Sequence, residues 1–386
     1  MDFRLSDDQR ALQQSARQFA STHLPSLAAQ IEESGEPVSR GWMKKYAELG
    51  VLGIISSPEV GGMGRPLLDA LIVLEEFAKV SVAVAFPVFE CCTGPIRIVE
   101  RFGSPKLADS LLRRVVEGDL LVAISMSEPD AGTALTDLRT RARFDGDDIV
   151  IDGTKRWCSG AGHSGAYVVF CRFDNIPGSR GVGAVLVEKD APGLSFGPQE
   201  KLMGFRGVPS ADMNFDSVRV PRENLLVEAG GFPKLMGSFN IERLGNATMA
   251  LGVAAGALEQ VAAYVQERKQ FGKPLADFQA VQLRLAEMEV KVEAARLLIH
   301  RAASELEDGL PVARGVAIAK CFANEMTREV TGSAMQLMGG YGYAREYGME
   351  RRMRDSWGWG IAGGAIDIQK VNIASALLGR RVSQRG

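Results

Sequence analysis

Between Asp277 and Gly309 the apolar residues Val281, Leu285, Met288, Val292, Ala295, Ile299, Ala302 and Leu306 fall alternately four and three apart. This spacing keeps one stripe of a helix apolar over about eight turns, so the segment has to pack along other helices for its whole length. A strand needs a period of two and leaves such a stripe unburied. Two further long helices are expected at roughly 241–268 and 312–338, so residues 233–386 read as an antiparallel α-helical bundle domain.

The other two thirds have different textures. Residues 1–120 read as an N-terminal α-helical domain. "LSDDQRALQQSARQFASTHL" sets Ser6 and two aspartates before a helical repeat, and "SPKLADSLLRRVVEG" opens on Ser-Pro and closes on glycine. From 121 to 232, short β-branched and aromatic runs ("DDIVIDG", "AYVVFCRF", "GVGAVLVEKD", "ADMNFDSVRVP") alternate with Gly, Pro and Asp turns. With no helices between them, these runs predict a middle antiparallel β domain. The fold expected is therefore α+β, helical at both ends with a β domain between.

With 45 Lys and Arg against 47 Asp and Glu, the formal charge of -2 speaks against nucleic acid as the main partner. The Asp-rich start lacks a basic stretch followed by an apolar run, so no signal peptide is expected, and no uncharged apolar run nears the ~20 residues of a membrane span. Five cysteines (91, 92, 158, 171 and 321) without CxxC spacing and three scattered histidines (23, 163 and 300) argue against a metal site and for a reducing, cytoplasmic setting. Cys158 and His163 could form a nucleophile–base pair, but no third group to orient them is identifiable nearby.

Several stretches could carry chemistry. "SMSEPDAGTALTDL" (125–138) places a Pro-Asp-Ala-Gly turn among small hydroxyl residues; it is either a surface turn or a loop offering N–H groups to a polar ligand. "GTKRWCSGAG" (153–162) sets Trp157 beside Ser159, which suits either a core tryptophan in a hairpin or an aromatic face for a planar cofactor. "ERKQFGKPLADFQ" (267–279) and "QLMGGYGYAREYGMERRMRD" (336–355) put Arg, Gln and glycine at helix ends, where phosphate binding and ordinary capping both fit.

In order along the chain, "SEPDAG", "GTKRW", "VEKDAPGLS", "FDSVRVPRENLL", "ERKQFGKPLADFQ", "GGYGY" and "RRMRDS" resemble the acyl-CoA dehydrogenase family over essentially the whole length. The resemblance implies an FAD cofactor lying between the β domain and a C-terminal four-helix bundle. Met126, Ser127, Gly132 and Thr133 would line the flavin and pyrophosphate. Trp157 would pack on the isoalloxazine, with Ser159 near its N5 edge. From a neighbouring subunit, Arg268, Gln270, Phe271 and Gln279 would hold the pyrophosphate region, with Gln336, Gly339 and Gly340 near the adenine half. A shared site implies at least a dimer, and the usual state in the family is a homotetramer, a dimer of dimers. The partners implied are an acyl-CoA substrate and an electron-transfer flavoprotein as acceptor.

The implied reaction removes the α proton of an acyl-CoA thioester as a hydride leaves the β carbon, giving a 2,3-enoyl-CoA. So weak an acid needs a carboxylate base and donors to the thioester oxygen. Many members carry that base in an I-Y-E-G-T pattern. Here Ile361, Ala362, Gly363, Gly364 and Ala365 occupy those places, so Gly363 stands at the base position, and Ala365 and Asp367 replace residues that usually help hold FAD. A subset of the family, isovaleryl-CoA dehydrogenase among it, carries the glutamate on a facing helix instead, and "FNIERLGNA" (239–247) matches that segment. Glu242 is then the expected base, Arg243 the expected CoA contact, and the Gly363 N–H the expected donor to the thioester carbonyl. The same fold also serves oxidases, monooxygenases, a sulfinate desulfinase and, as a further alternative, a CoA-ester-binding scaffold without activity.

Overall fold

The structure, a computed structural model, describes residues 4–380. Helices α1 (Asp7–Ser34), α2 (Arg40–Glu48), α3 (Leu67–Ala78), α4 (Val82–Cys92), α5 (Ile96–Phe102) and α6 (Pro105–Val116) form the N-terminal layer. Its start follows from local chemistry. The Ser6 hydroxyl accepts the Gln9 N–H, the Gln9 side chain accepts the Ser6 N–H, and Asp7 and Asp8 sit at the positive end of the helix dipole.

Strands β1 (Val122–Ser125), β2 (Arg141–Asp145), β3 (Asp148–Ser159), β4 (Ala166–Phe173), β5 (Val182–Glu188), β6 (Leu194–Phe196), β7 (Ser210–Pro221) and β8 (Leu225–Val227) form one sheet, ordered β6-β7-β3-β2-β4-β5-β8 with β1 beside β4. The expectation of a purely antiparallel domain needs correcting. β1 runs parallel to β4 (Val122 opposite Ala166), and β2 pairs parallel with the end of β4 (Arg141 opposite Arg172). Turn residues specify strands joined by a hairpin, such as β2 and β3. They say nothing of β1, which α6 and the long 126–140 loop deliver to the free edge of β4.

The C-terminal part comprises α7 (Phe232–Glu267), hairpin strands β9 (Lys269–Gln270) and β10 (Lys273–Pro274), α8 (Gln279–Ser304), ribbon strands β11 (Leu306–Glu307) and β12 (Leu310–Pro311), α9 (Ala313–Met338), α10 (Gly340–Tyr343), α11 (Met349–Gly358) and α12 (Ile366–Leu377). Two boundaries differ from expectation. α7 starts at Phe232 instead of near 241, after a Gly-Phe-Pro entry that places proline in the first turn, where its missing N–H costs nothing. α8 stops at Ser304, so Leu306, the last member of the apolar stripe, lies in β11 and is exposed.

α7 is apolar on almost every side and packs against α3, α4, α8 and α9. Small residues make that possible. A β-carbon at Gly245 would fall on the Thr93 hydroxyl, and one at Gly252 would fall on the Ala78 β-carbon and lie 2.8 Å from the Glu75 carbonyl oxygen. The stretches Val82–Phe102 and Phe232–Glu267 are, if a few charges are tolerated, long and apolar enough to cross a membrane. Yet 100% and 72% of their apolar windows are buried inside the fold.

Gly252→Ala should therefore destabilise the protein despite alanine's better helix propensity. The expected loss is about 1–3 kcal/mol, the usual cost of overpacking a tight core. It would be read as a lower urea midpoint with an unchanged slope.

Candidate functional site

Glu242, Arg243 and Asn246 lie within one turn and a half of α7, and Arg243 and Asn246 approach the segment 359–364 between α11 and α12. A β-carbon at Gly363 would lie 3.3 Å from Asn246 Nδ2, and one at Gly364 would lie 3.9 Å from Arg243 Nε. Gly363 and Gly364 have φ of +65° and +89°, a left-handed backbone that glycine adopts without strain. The structure thus sets the α7 turn that carries Glu242 beside the glycine gap, through Arg243 and Asn246.

Glu242 is half-buried, but its Oε2 is sealed from solvent and has no hydrogen-bond partner. Burial pushes its carboxyl up to about 8, against the opposing pull of the Arg243 and Lys320 charges. Arg243 donates to Asn240 Oδ1 at 2.9 Å and lies over the Phe239 ring, leaving Nε unpartnered. Glu90 of α4 faces the same region. It too has an unpartnered Oε2, and burial together with the Glu242 charge pushes it well above the usual carboxylate range.

The loop is tied from behind. Lys320 of α9 is fully buried and donates to Asn246 Oδ1 (3.0 Å), the Trp359 carbonyl (2.9 Å) and the Ala362 carbonyl (2.8 Å). Asn246 Nδ2 donates to the same two carbonyls at 3.1 and 3.3 Å. Sequence reasoning missed Lys320, Asn246 and Glu90. A signal existed for Lys320, which falls on the core stripe Val316, Lys320, Ala323, Thr327, where a solvated lysine has no place.

The other predicted residues fall into two groups. Met126, Ser127, Gly132 and Thr133 lie on the loop after β1, and Trp157 and Ser159 on the last part of β3. Trp157 is not a core residue. It is 51% exposed with φ +61° at an irregularity between β3 and β7, and Arg156 covers one face of its ring at 4.2 Å. A buried ion pair anchors both segments. Glu128 accepts the Arg139 and Thr140 N–H groups and Lys155 Nζ at 2.9 Å, while Lys155 also donates to the Met126 carbonyl. Burial raises the Glu128 carboxyl, but Lys155 and these donors outweigh it and hold it below the usual range.

In the second group, Arg268, Gly339 and Gly340 line a cavity of about 490 Å³ with Tyr264, Tyr341 and Tyr347. Gln270 and Phe271 project on the β9–β10 hairpin, where Phe271 is 94% exposed, and Gln279 and Gln336 are exposed at helix positions. A β-carbon at Gly132, Gly339 or Gly340 would meet nothing within 4 Å, so the backbone at these positions is open to a ligand such as a dinucleotide. A larger cavity of about 790 Å³ between α1 and residues 345–352 contains none of the predicted residues. Part of its lining is internally paired, Arg17 and Lys79 with Glu76, and Glu32 with nearby Arg354.

The Cys158–His163 pairing does not form. The Cys158 thiol is buried, points to the Ile124 carbonyl at 3.2 Å and is pushed up to about 12 by that burial. No group of metal-ligating side chains occurs among the described residues.

Comparison with known proteins identifies the family. The N-terminal, middle and C-terminal domain models of acyl-CoA dehydrogenases match residues 6–119, 123–218 and 229–378, so the chain belongs to the acyl-CoA dehydrogenase family. It is 37% identical to 3-sulfinopropanoyl-CoA desulfinase of Paraburkholderia xenovorans over 99% of both chains. It is 34% identical to a short-chain-specific acyl-CoA dehydrogenase of Clostridium acetobutylicum over 98% of this chain and 100% of that one. The solved butyryl-CoA dehydrogenase of Megasphaera elsdenii superposes with a TM-score of 0.93 at 32% identity, covering 98% of this chain and 100% of that one. An FAD complex of PigA superposes with a TM-score of 0.92 at 27% identity, covering 99% and 100%. Subunit CarC of the caffeyl-CoA reductase–Etf complex of Acetobacterium woodii is 34% identical over 97% of this chain and 99% of that one. The fold and the FAD cofactor expected from sequence agree with these relatives.

Lys155→Met should strand the Glu128 carboxylate in the interior and loosen the 126–140 loop. Breaking one side of a buried pair costs about 3–5 kcal/mol. A fall of that size in the free energy of urea unfolding, with weaker FAD retention on gel filtration, is the expected result.

Proposed function

We propose that the protein is an FAD-dependent acyl-CoA dehydrogenase that forms a 2,3-enoyl-CoA, with Glu242 as the base for the α proton. The observation that carries this reading is the sealed, unpartnered Glu242 oxygen on α7, one turn from Asn246, which binds a glycine loop that holds no carboxylate of its own. Bound FAD supplies the hydride acceptor, and Met126, Ser127, Gly132, Thr133, Trp157 and Ser159 would hold its flavin side. Arg268, Gln270, Phe271, Gln279, Gln336, Gly339 and Gly340 would hold the distal part of an FAD shared with a second subunit.

The remaining chemistry belongs to the chain's own side chains and backbone. A carboxylate with an elevated pKa is a stronger base, and burial gives Glu242 that strength next to a very weak carbon acid. The Gly363 N–H donates to the thioester oxygen, where negative charge grows as the α proton leaves. Arg243 would contact the CoA portion. Gly363 brings no carboxylate of its own, which leaves Glu242 on α7 to act as the base.

A homotetramer with an electron-transfer flavoprotein as acceptor completes the proposal, in the cytoplasm. Supporting the assembly, Leu283, Val290 and Leu297 form an exposed apolar stripe at heptad spacing on α8. The similarity to a desulfinase motivates a second reading, release of sulfinate from a 3-sulfinoacyl-CoA. That reaction needs no α-proton base, so the buried Glu242 favours the dehydrogenase.

Anaerobic mixing of the holoenzyme with straight, branched and cyclic acyl-CoAs should bleach the flavin absorbance. Glu242→Gln should keep its FAD and lose at least 10³-fold in bleaching rate, the upper part of the range for an acid–base group. A near-normal rate in that variant would remove Glu242 from the mechanism. Product release from a sulfinoacyl-CoA without bleaching would select the second reading.

The pH dependence has a definite sign. Only the carboxylate accepts a proton, and the Glu242 carboxyl is pushed up to about 8. The second-order rate of flavin reduction in the free enzyme should therefore rise about tenfold per pH unit up to about pH 7. Stopped-flow profiles at subsaturating substrate test this, and a plateau already reached at pH 6 would contradict it.

A further inference from the structure

The Lys320 ammonium is buried against two neutral backbone carbonyls and a neutral amide oxygen, with no carboxylate among its hydrogen-bond partners. It sits directly behind the glycine loop. The peptide joining Ala362 to Gly363 is trans, as are all peptide bonds of the described residues. In a planar trans peptide the C=O and N–H point in opposite directions. Holding the Ala362 carbonyl at 2.8 Å from Lys320 and 3.3 Å from Asn246 therefore aims the Gly363 N–H away from them. Among the described residues, no hydrogen bond uses that N–H.

We propose that Lys320, assisted by Asn246, is a positioning residue that aims and polarises the Gly363 N–H as a donor to the thioester oxygen. A cation bonded to an amide oxygen draws electron density from the nitrogen, which strengthens the N–H as a donor, as in any hydrogen-bonded chain. The inference rests on the reading of the site above and goes further, assigning a role to a lysine that touches neither substrate nor cofactor.

Three contacts to three acceptors use every N–H of an ammonium, whereas a neutral amine has only two. Burial and the Arg243 charge push Lys320 down to about 7, and these contacts oppose that loss of charge. The charged and titratable groups around it are Glu242 and Arg243 on α7 and Cys321 and Arg328 on α9 itself, with Glu90 on α4 beyond Glu242. The loop 359–364 contributes no titratable side chain. A lysine acting only as structural filler would not need to hold both carbonyls that define the loop.

The probe is acetoacetyl-CoA, whose acidified α proton lets the enolate be followed by its absorbance when bound to the oxidised holoenzyme. Wild type should lower the ligand's apparent enolisation pKa relative to water. In Lys320→Met that pKa should rise by at least one unit, a tenfold loss of enolate stabilisation, while the Kd for an S-alkyl-CoA thioether lacking the carbonyl changes less than threefold. Lys320→Gln, which keeps two N–H donors without the charge, should fall between the two and provides the test if the methionine variant does not fold. Enolisation at the wild-type pKa in either folded, FAD-loaded variant would overturn the proposal. Failure of wild type itself to shift the ligand's pKa would overturn the site reading, and the role of Lys320 with it.

Discussion

The close packing of α7 is the constraint on which the other features depend. The helix runs from Phe232 to Glu267, is buried along most of its length, and reaches α3 and α4 only because Gly245 and Gly252 have no side chain at the contact. Glycine normally weakens a helix by roughly 1 kcal/mol, and here that cost is offset by close helix approach. With α7 fixed, Glu242, Arg243 and Asn246 acquire fixed positions against the loop that precedes α12. A shift of α7 outward by one methyl group would move Glu242 and the loop anchor Asn246 together.

The glycine loop and the buried polar network behind it form the second level. Left-handed residues at 363 and 364 turn the chain so that its carbonyls point inward to Lys320 and Asn246. A buried polar network is stabilising only when its members are satisfied, and this one pairs every Lys320 donor. Glu242 Oε2, Glu90 Oε2 and Arg243 Nε have no partner, and neither has Asn324 Oδ1 at the edge of the network. Orphaned buried groups such as the Glu242 oxygen are left for a ligand to meet.

Legibility in the sequence followed the range of the interaction. The stripe from Val281 to Ala302 predicted α8 because helix periodicity is local, and the Ser6–Gln9 cap predicted the start of α1 for the same reason. The parallel pairings of β1 and β2 with β4 were not legible, because they depend on loops that carry no register information. Glu242 and Gly363 were found together only through the family resemblance, since 121 positions separate them and no periodicity links them. Lys320 was passed over because lysine on a helix reads as solvated unless its place on the buried stripe is noticed.

By itself the sequence determined the α–β–α order and the absence of a carboxylate at 363, because each is a matter of local pattern or residue identity. Only the tertiary structure decided that Glu242 lies with one oxygen sealed and unpaired, that Trp157 is exposed beside Arg156, and that Lys320 grips the loop from behind. Burial and hydrogen-bond satisfaction depend on which distant segments meet, and they set the strength of a buried base and the direction of a backbone N–H.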